Sequence, residues 1–203
     1  MEIIESNYFP FERYKELVDK YKELDWREIN FQNRVILQLL DCIFINDNSI
    51  SIVDVSAQYK NKESDLHTRM FYAWKYTPDL LIVKDWNYNN LEKDMDDYLA
   101  VVEIKSPVLD PISNNKTHTF DEVEDYRKHG RKVILTDCYE WVFYDCGKEP
   151  KHFTLHDGTR WCLKDKNNPE YIVREFGFDV SRLVLPEWDK LLENIRTFIL
   201  GEE

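Results

Sequence analysis

The sequence has few of the features that mark several large classes of protein. It contains only five glycines and seven prolines in 203 residues, so collagen-like and low-complexity chains are excluded. Its cysteines (Cys42, Cys138, Cys146 and Cys162) form no Cys-x-x-Cys pair, which argues against a zinc ribbon or redox motif and favours buried free thiols. No apolar run approaches the ~18 residues of a membrane span, and the amino terminus has no signal-peptide pattern. We therefore expect an ordered, soluble, cytoplasmic protein with no membrane partner.

The chain also lacks an excess of basic residues. With 27 Lys and Arg against 39 Asp and Glu, its net charge is −12, whereas proteins that bind nucleic acid usually present cations to the phosphates. A carboxylate cluster that holds a divalent metal ion is itself acidic, and a local basic patch can act within an acidic average. The one dense basic cluster is Arg127, Lys128, His129, Arg131 and Lys132. These cations either contact phosphates or complement the dipole of a helix that ends at Gly130.

Hydrophobic periodicity predicts an α/β fold, a mixed sheet with helices on both faces. Helices are expected at residues 11–24, 25–43, 119–129 and 186–200. Strands are expected at residues 50–55, 79–83, 98–105, 132–136 and 140–144, with mixed strand and loop from 146 to the last helix.

Two neighbouring predicted strands carry groups suited to phosphate chemistry. Pro78-Asp79 starts one strand and Glu103-Ile104-Lys105 ends the next. Because strand side chains alternate, Glu103 and Lys105 share a face, where Asp79 can approach Glu103. Carboxylates suit Mg²⁺ or Mn²⁺, and a lysine can hold a phosphate oxygen or the attacking water. The alternative is a strand-initiating turn at Asp79 and an ion pair between Glu103 and Lys105 on an exposed face of the sheet.

These motifs are rare within the chain. Pro-Asp occurs once, and an acid two residues before a lysine occurs only at Glu103-Ile-Lys105 and Glu149-Pro-Lys151. The second instance contains proline and no apolar strand, so the first is the better candidate.

An acidic residue on the helix before the first strand could complete the site. Glu28 lies three, seven and eleven residues before Phe31, Val35 and Leu39, so it continues their buried stripe and would face the sheet. The alternative is structural, because Asp25 and Glu28 fit a capping box at the start of this helix. The sequence leaves both interpretations open.

The Pro-Asp and Glu-x-Lys motifs resemble the PD-(D/E)XK, restriction-endonuclease-like nuclease superfamily. Downstream, Glu122-x-x-x-Tyr126 and two hydrophobic strands, the first ending in Thr136-Asp137, resemble nuclease domains of type I restriction enzymes. Those domains often carry Gln-x-x-x-Tyr, so Glu122 departs from the pattern by placing an acid where they have an amide. The resemblance covers about residues 25–145, which leaves 146–203 as a C-terminal strand and helix extension of a single domain, 1–203.

The resemblance implies an αβββαβ core and a metal-dependent nuclease, with an endonuclease favoured. Catalysis would fall to Asp79, Glu103 and Lys105, and Mg²⁺ or Mn²⁺ would be held by Asp79, Glu103 and Glu28. Glu122 and Tyr126 would belong to the motif helix, which carries Glu-x-x-x-Tyr in place of Gln-x-x-x-Tyr. Nucleic acid would be contacted by Arg127, Lys128, Arg131 and Lys132.

The implied substrate is nucleic acid, with DNA favoured over RNA, in prokaryotic or phage defence or counter-defence. The chain has no Gly-x-x-x-x-Gly-Lys-Ser/Thr loop and so no ATP-driven motor of its own, which leaves a stand-alone nuclease domain or a subunit of something larger. A homodimer or a larger complex is the candidate assembly. The alternative is a catalytically inactive member of the same fold, whose acidic surface binds a protein or imitates nucleic acid.

Overall fold

The computed structural model describes residues 9–56, 74–87, 98–112, 117–156 and 187–201. The helices in these ranges are α1 (Phe11–Leu24), α2 (Glu28–Phe31), α3 (Leu37–Ile43), α4 (Thr117–Lys128) and α5 (Trp188–Leu200), with a π-helical turn (Gln32–Ile36) joining α2 to α3. The strands are β1 (Ile50–Asp54), β2 (Leu80–Lys84), β3 (Tyr98–Ile104), β4 (Val133–Thr136), β5 (Glu140–Tyr144) and β6 (Lys151–Thr154). None of the described helices combines the length and the apolar character needed to cross a membrane.

The six strands form one open mixed sheet in chain order, β1 to β6. All neighbouring pairs are antiparallel except β3 and β4, which run parallel because α4 connects them as a crossover. The predicted α/β class is confirmed, and most predicted helix and strand limits agree within two residues. The sixth strand, β6, lies where the sequence predicted only mixed strand and loop. Pro186, the predicted first residue of the last helix, lies outside the described residues.

Helices cover both faces of the sheet. Leu80 and Val102 belong to the hydrophobic core that contains buried residues of α1, the α2–α3 helix and α5. Leu81 and Val101 point the other way and pack with Tyr126 of α4. Side-chain alternation along β2 and β3 therefore places Asp79, Glu103 and Lys105 on the α4 face of the sheet.

The start of α2 differs from the predicted capping box. The helix begins at Glu28 itself, Arg27 is the N-cap residue, and no side chain caps the helix. The carboxylate of Asp25 instead accepts a hydrogen bond from Nε of Arg27 at 2.8 Å, and this hydrogen bond lowers the pKa of Asp25. Because the Arg27 guanidinium engages Asp25 locally, the capping-box interpretation is wrong. Glu28 lies in the first helical turn and remains available for the site.

The cysteines agree only partly with the expectation of buried free thiols. Cys42, Cys138 and Cys146 are free thiols, but only Cys138 is fully buried. Cys146 is exposed because it lies in the turn after β5, so the expectation of a buried thiol is wrong there. Cys162 lies outside the described residues.

Candidate active site

Asp79 lies where β1, β2 and β3 meet. Its backbone N–H donates to the carbonyl of Val102 and its carbonyl accepts from the N–H of Val55, both at 3.1 Å. Its side-chain Oδ2 accepts a hydrogen bond from the N–H of Ile104 at 2.7 Å. These bonds hold a buried carboxylate against the strand that carries Glu103 and Lys105.

Glu103 and Lys105 form a buried ion pair. Nζ of Lys105 donates to Oε1 of Glu103 at 2.5 Å, and the two side chains are only 9% and 5% exposed, respectively. The hydroxyl of Tyr126 donates to the other carboxylate oxygen, Oε2, at 2.9 Å. The alternative of an ion pair on an exposed sheet face is therefore wrong, because α4 covers the pair.

The motif helix α4 supplies two residues to this cluster, Glu122 and Tyr126, one helical turn apart. Oε2 of Glu122 lies 3.0 Å from Nζ of Lys105. This is a charge contact only, because Oε2 is buried without a well-aligned hydrogen bond in the described part of the chain. Oε1 of Glu122 lies 3.1 Å from Nδ1 of the exposed His118. The acid that replaces the expected glutamine therefore provides a second negative charge for Lys105.

The start of α2 is tied to the end of β3. The hydroxyl of Ser106 donates to the carbonyl of Trp26 at 2.7 Å and accepts from the N–H of Leu109 at 3.1 Å. This link places the half-buried Glu28 near Lys105. Burial raises the pKa of Glu28, and the charges of Glu122 and Asp110 add to this, while Lys105 opposes it.

Sequence reasoning missed Ser106 as a positioning residue. Ser-Pro directly after β3 is a turn signal and could have suggested a hydroxyl that binds backbone. It also missed Gln32, which is buried in the π-helical turn and donates from Nε2 to Oγ of Ser56 at 3.0 Å, joining the helix to the segment after β1.

The cluster holds four carboxylates and one ammonium group. Burial raises the pKa of Asp79 well above its ordinary value, and the nearby charge of Glu103 adds to the effect. Burial also raises the pKa of Glu103 to about 7, although the pairing with Lys105 opposes this. Burial lowers the pKa of Lys105, but attraction to Glu103, Glu28 and Glu122 outweighs it and holds the pKa above its ordinary value. Lys105 is thus a permanent cation that only partly offsets the surrounding negative charge.

The carboxylates of this cluster are the type of side chain that binds a hard divalent cation. Carboxylate oxygens are the side-chain ligands that Mg²⁺ prefers, and the uncompensated charge favours a cation. Within the described ranges no three His, Cys, Asp or Glu side chains are already arranged as a metal site. Glu103 directs its oxygens at Lys105 and Tyr126, so a metal ion held by Glu103 would compete with Lys105. Glu122 would then remain as an anion for the ammonium group.

Residues of the predicted basic cluster contact other parts of this chain. Arg127 and Arg131 lie over aromatic rings, and Nζ of Lys132 donates to the carbonyl of Phe198 at 2.7 Å. Lys128 is exposed. Contact between these four residues and nucleic acid stays a prediction.

The ionisation of Glu103 should appear in the pH dependence of unfolding. Its folded pKa of about 7 lies above the unfolded value, so the folded state binds the extra proton in this range. Glu103 therefore destabilises the fold progressively from about pH 4.5 to pH 7, and this cost is fully present above pH 7. Relative to wild type, Glu103→Gln should gain roughly 3 kcal/mol of unfolding free energy across this range, measured by urea denaturation in EDTA. A difference between the two proteins that does not change with pH would contradict the prediction.

Comparisons with protein-family models, with curated proteins and with solved structures returned no match.

Proposed function

We propose that this chain is a metal-dependent nuclease of the PD-(D/E)XK, restriction-endonuclease-like class. The observation that carries the proposal is that two motifs more than twenty residues apart in sequence form one buried cluster. Asp79 hydrogen-bonds the backbone of Ile104, and the flanking Glu103 and Lys105 are paired. The order of elements from the α2–α3 helix to β4, which is helix, three strands, helix and strand, supports the αβββαβ core.

The proposed roles follow from the charges and contacts. Asp79 and Glu103 would hold the metal ion, with Glu28 as a further carboxylate at the start of α2. A bound Mg²⁺ or Mn²⁺ supplies charge neutralisation at the phosphate and lowers the pKa of a water molecule. Lys105, which stays protonated, binds a phosphate oxygen or orients the attacking water as a point charge and does not act as the base. Tyr126 orients Glu103 through the hydrogen bond to Oε2.

A second candidate function is favoured by the net charge of −12. In this alternative the chain is an inactive member of the same fold whose acidic surface binds a protein partner or imitates nucleic acid. The buried cluster argues against it, because four carboxylates around one lysine cost stability that a purely structural core would not need to lose.

The deciding experiment is a cleavage assay with purified protein. Single- and double-stranded DNA and RNA are incubated with Mg²⁺, Mn²⁺ or EDTA, and the products are resolved on denaturing gels. We expect metal-dependent cleavage, with DNA preferred, and circular substrates report endonuclease activity. Folded protein that cleaves none of the four substrates with either metal would favour the alternative.

Metal binding can be tested independently of cleavage. Mg²⁺ should raise the melting temperature of wild type because binding to the folded state alone stabilises it, by about 2.7 kcal/mol at 100-fold excess over Kd. Asp79→Asn and Glu28→Gln should each need roughly 10- to 100-fold more metal for the same shift. Glu149→Gln, at the exposed second acid-x-Lys motif, is the matched control and should behave as wild type. Equal shifts in all four proteins would mean that the metal binds elsewhere.

A further inference from the structure

A groove of about 530 Å³ lies between α5 and the β5–β6 edge of the sheet. The residues that matter for its chemistry are Lys132, Lys148, Lys151, Phe143, Phe153 and Phe198. Its volume falls in the range of small-molecule sites, roughly 300 to 1,000 Å³.

The groove is separate from the carboxylate cluster. Lys151 pairs with Phe143 across β5 and β6, so both side chains point to the same face of the sheet. Phe143 belongs to the core that packs against α5, whereas Glu103 points to the α4 face. A ligand in the groove and a phosphate at the carboxylates would therefore occupy opposite sides of the sheet.

The charge of the groove opposes that of the whole chain. Three lysines face one acid, Asp145, which leaves a local excess of two positive charges in a protein of net charge −12. Lys132 binds the carbonyl of Phe198 near the end of α5. Lys148 pairs with Asp145 at 2.9 Å but is 62% exposed, and Lys151 is exposed with no ion pair in the described part of the chain. Lys148 and Lys151 are therefore placed to attract an anionic group.

The walls of the groove add aromatic and hydrogen-bonding groups. The rings of Phe143 and Phe198 are 5.2 Å apart, and Phe153 is half-buried beside them. Asn194 and Thr197 of α5 line the same groove with an amide and a hydroxyl group. Basic side chains next to aromatic faces suit a ligand that carries both a phosphate and a base.

We propose that this groove binds a nucleotide unit, with its phosphate at Lys148 and Lys151 and its base against Phe153. The unit can come from a free mononucleotide or from a single strand of nucleic acid, which offer the same chemistry. The proposal does not rest on the proposed cleavage, and it is tested in EDTA, where metal-dependent cleavage cannot occur.

The test uses the full chain, one labelled probe and two competitors. Fluorescence anisotropy measures the affinity for a short fluorescein-labelled oligothymidylate over a range of salt concentrations, and AMP and inorganic phosphate serve as competitors. The double variant Lys148→Glu/Lys151→Glu removes the proposed phosphate contacts. Lys190→Glu on α5 is the matched control, because Lys190 also pairs with an acid three residues away, is 64% exposed and lies outside the groove.

We expect the double variant to weaken oligothymidylate binding at least about tenfold and to reduce the slope of log affinity against log salt by about 1.4, from two lost phosphate contacts. Phe153→Leu, which keeps an apolar side chain, should weaken binding about fivefold or more through lost stacking. Lys190→Glu should stay within about twofold of wild type. Competition by AMP would identify a free nucleotide as sufficient, and binding of the oligonucleotide alone would identify a strand.

Three results would overturn the proposal. Wild type that does not bind the oligothymidylate has no such site for a nucleotide unit. A double variant with wild-type affinity would place the binding elsewhere. Inorganic phosphate that competes as well as AMP, with Phe153→Leu unchanged, would reduce the groove to a general anion site.

Discussion

Glu103→Gln should reduce metal-dependent cleavage on the order of 100-fold or more while the protein stays folded. The amide oxygen can still accept the hydrogen bond from Lys105, and the amide N–H can donate to the hydroxyl oxygen of Tyr126, so both buried neighbours keep a partner. It cannot supply the negative charge that a divalent cation requires. Cleavage rate against Mg²⁺ concentration, together with circular dichroism, separates the loss of chemistry from a loss of structure.

The control for this variant is Glu149→Gln, which makes the same change at an exposed acid two residues before a lysine. It should cleave at the wild-type rate. Glu103→Gln protein that retains more than about a tenth of wild-type activity would remove Glu103 from the site, because loss of a group acting on the developing charge usually costs on the order of 100-fold or more.

Lys105→Met should abolish cleavage and also destabilise the metal-free fold by about 3–5 kcal/mol at pH 8. Methionine keeps most of the apolar stem, so the variant removes the charge with little change in packing. The ammonium group of Lys105 lies between Glu103 and Glu122, and its loss leaves like charges buried without their counter-ion. Urea denaturation in EDTA measures this effect. Mg²⁺ should recover part of the stability, since a metal ion neutralises the same carboxylates.

Lys190→Met is the comparison for this loss, because it breaks an ion pair of similar chemistry that is exposed. Its effect should stay below about 1 kcal/mol. If Lys105→Met and Lys190→Met cost the same, Lys105 is not the counter-ion of the cluster.

The central pair of strands and the acid-x-Lys motif could be predicted from sequence because the information is local. Alternation along residues 98–105 places Glu103 and Lys105 on one face whatever the rest of the chain does. The period of 3.6 residues likewise predicted the buried stripe from Phe31 to Ile43. In both cases the pattern and the packing depend on the same few residues.

The remaining contacts depend on how distant elements meet, which a single sequence does not encode locally. The contact between Glu122 and Lys105 requires α4 to cross over β3, and the hydrogen bond from Ser106 to Trp26 spans eighty residues. The capping box failed for the opposite reason, because the pattern was local but Arg27 engaged the carboxylate of Asp25. The groove beside α5 combines Lys132, one of the predicted nucleic-acid contacts, with residues from β5, β6 and α5 for which the sequence suggested no role.

The π-helical turn at Gln32–Ile36 constrains how the length of this helix can change during evolution. A π turn accommodates one more residue than an α turn, and each residue of an α-helix corresponds to a rotation of about 100° about its axis. Deleting one residue within this turn would therefore restore regular α-helix and leave the phase between α2 and α3 nearly unchanged, whereas deleting one residue from α3 would rotate α2 by about 100° relative to the end of the helix and carry Glu28 away from Lys105. The π turn thus absorbs one residue while it keeps the angular phase between the acid at the start of the helix and the apolar stripe that anchors its end. A homologue that is one residue shorter at this turn could keep the same carboxylate geometry with a regular α-helix.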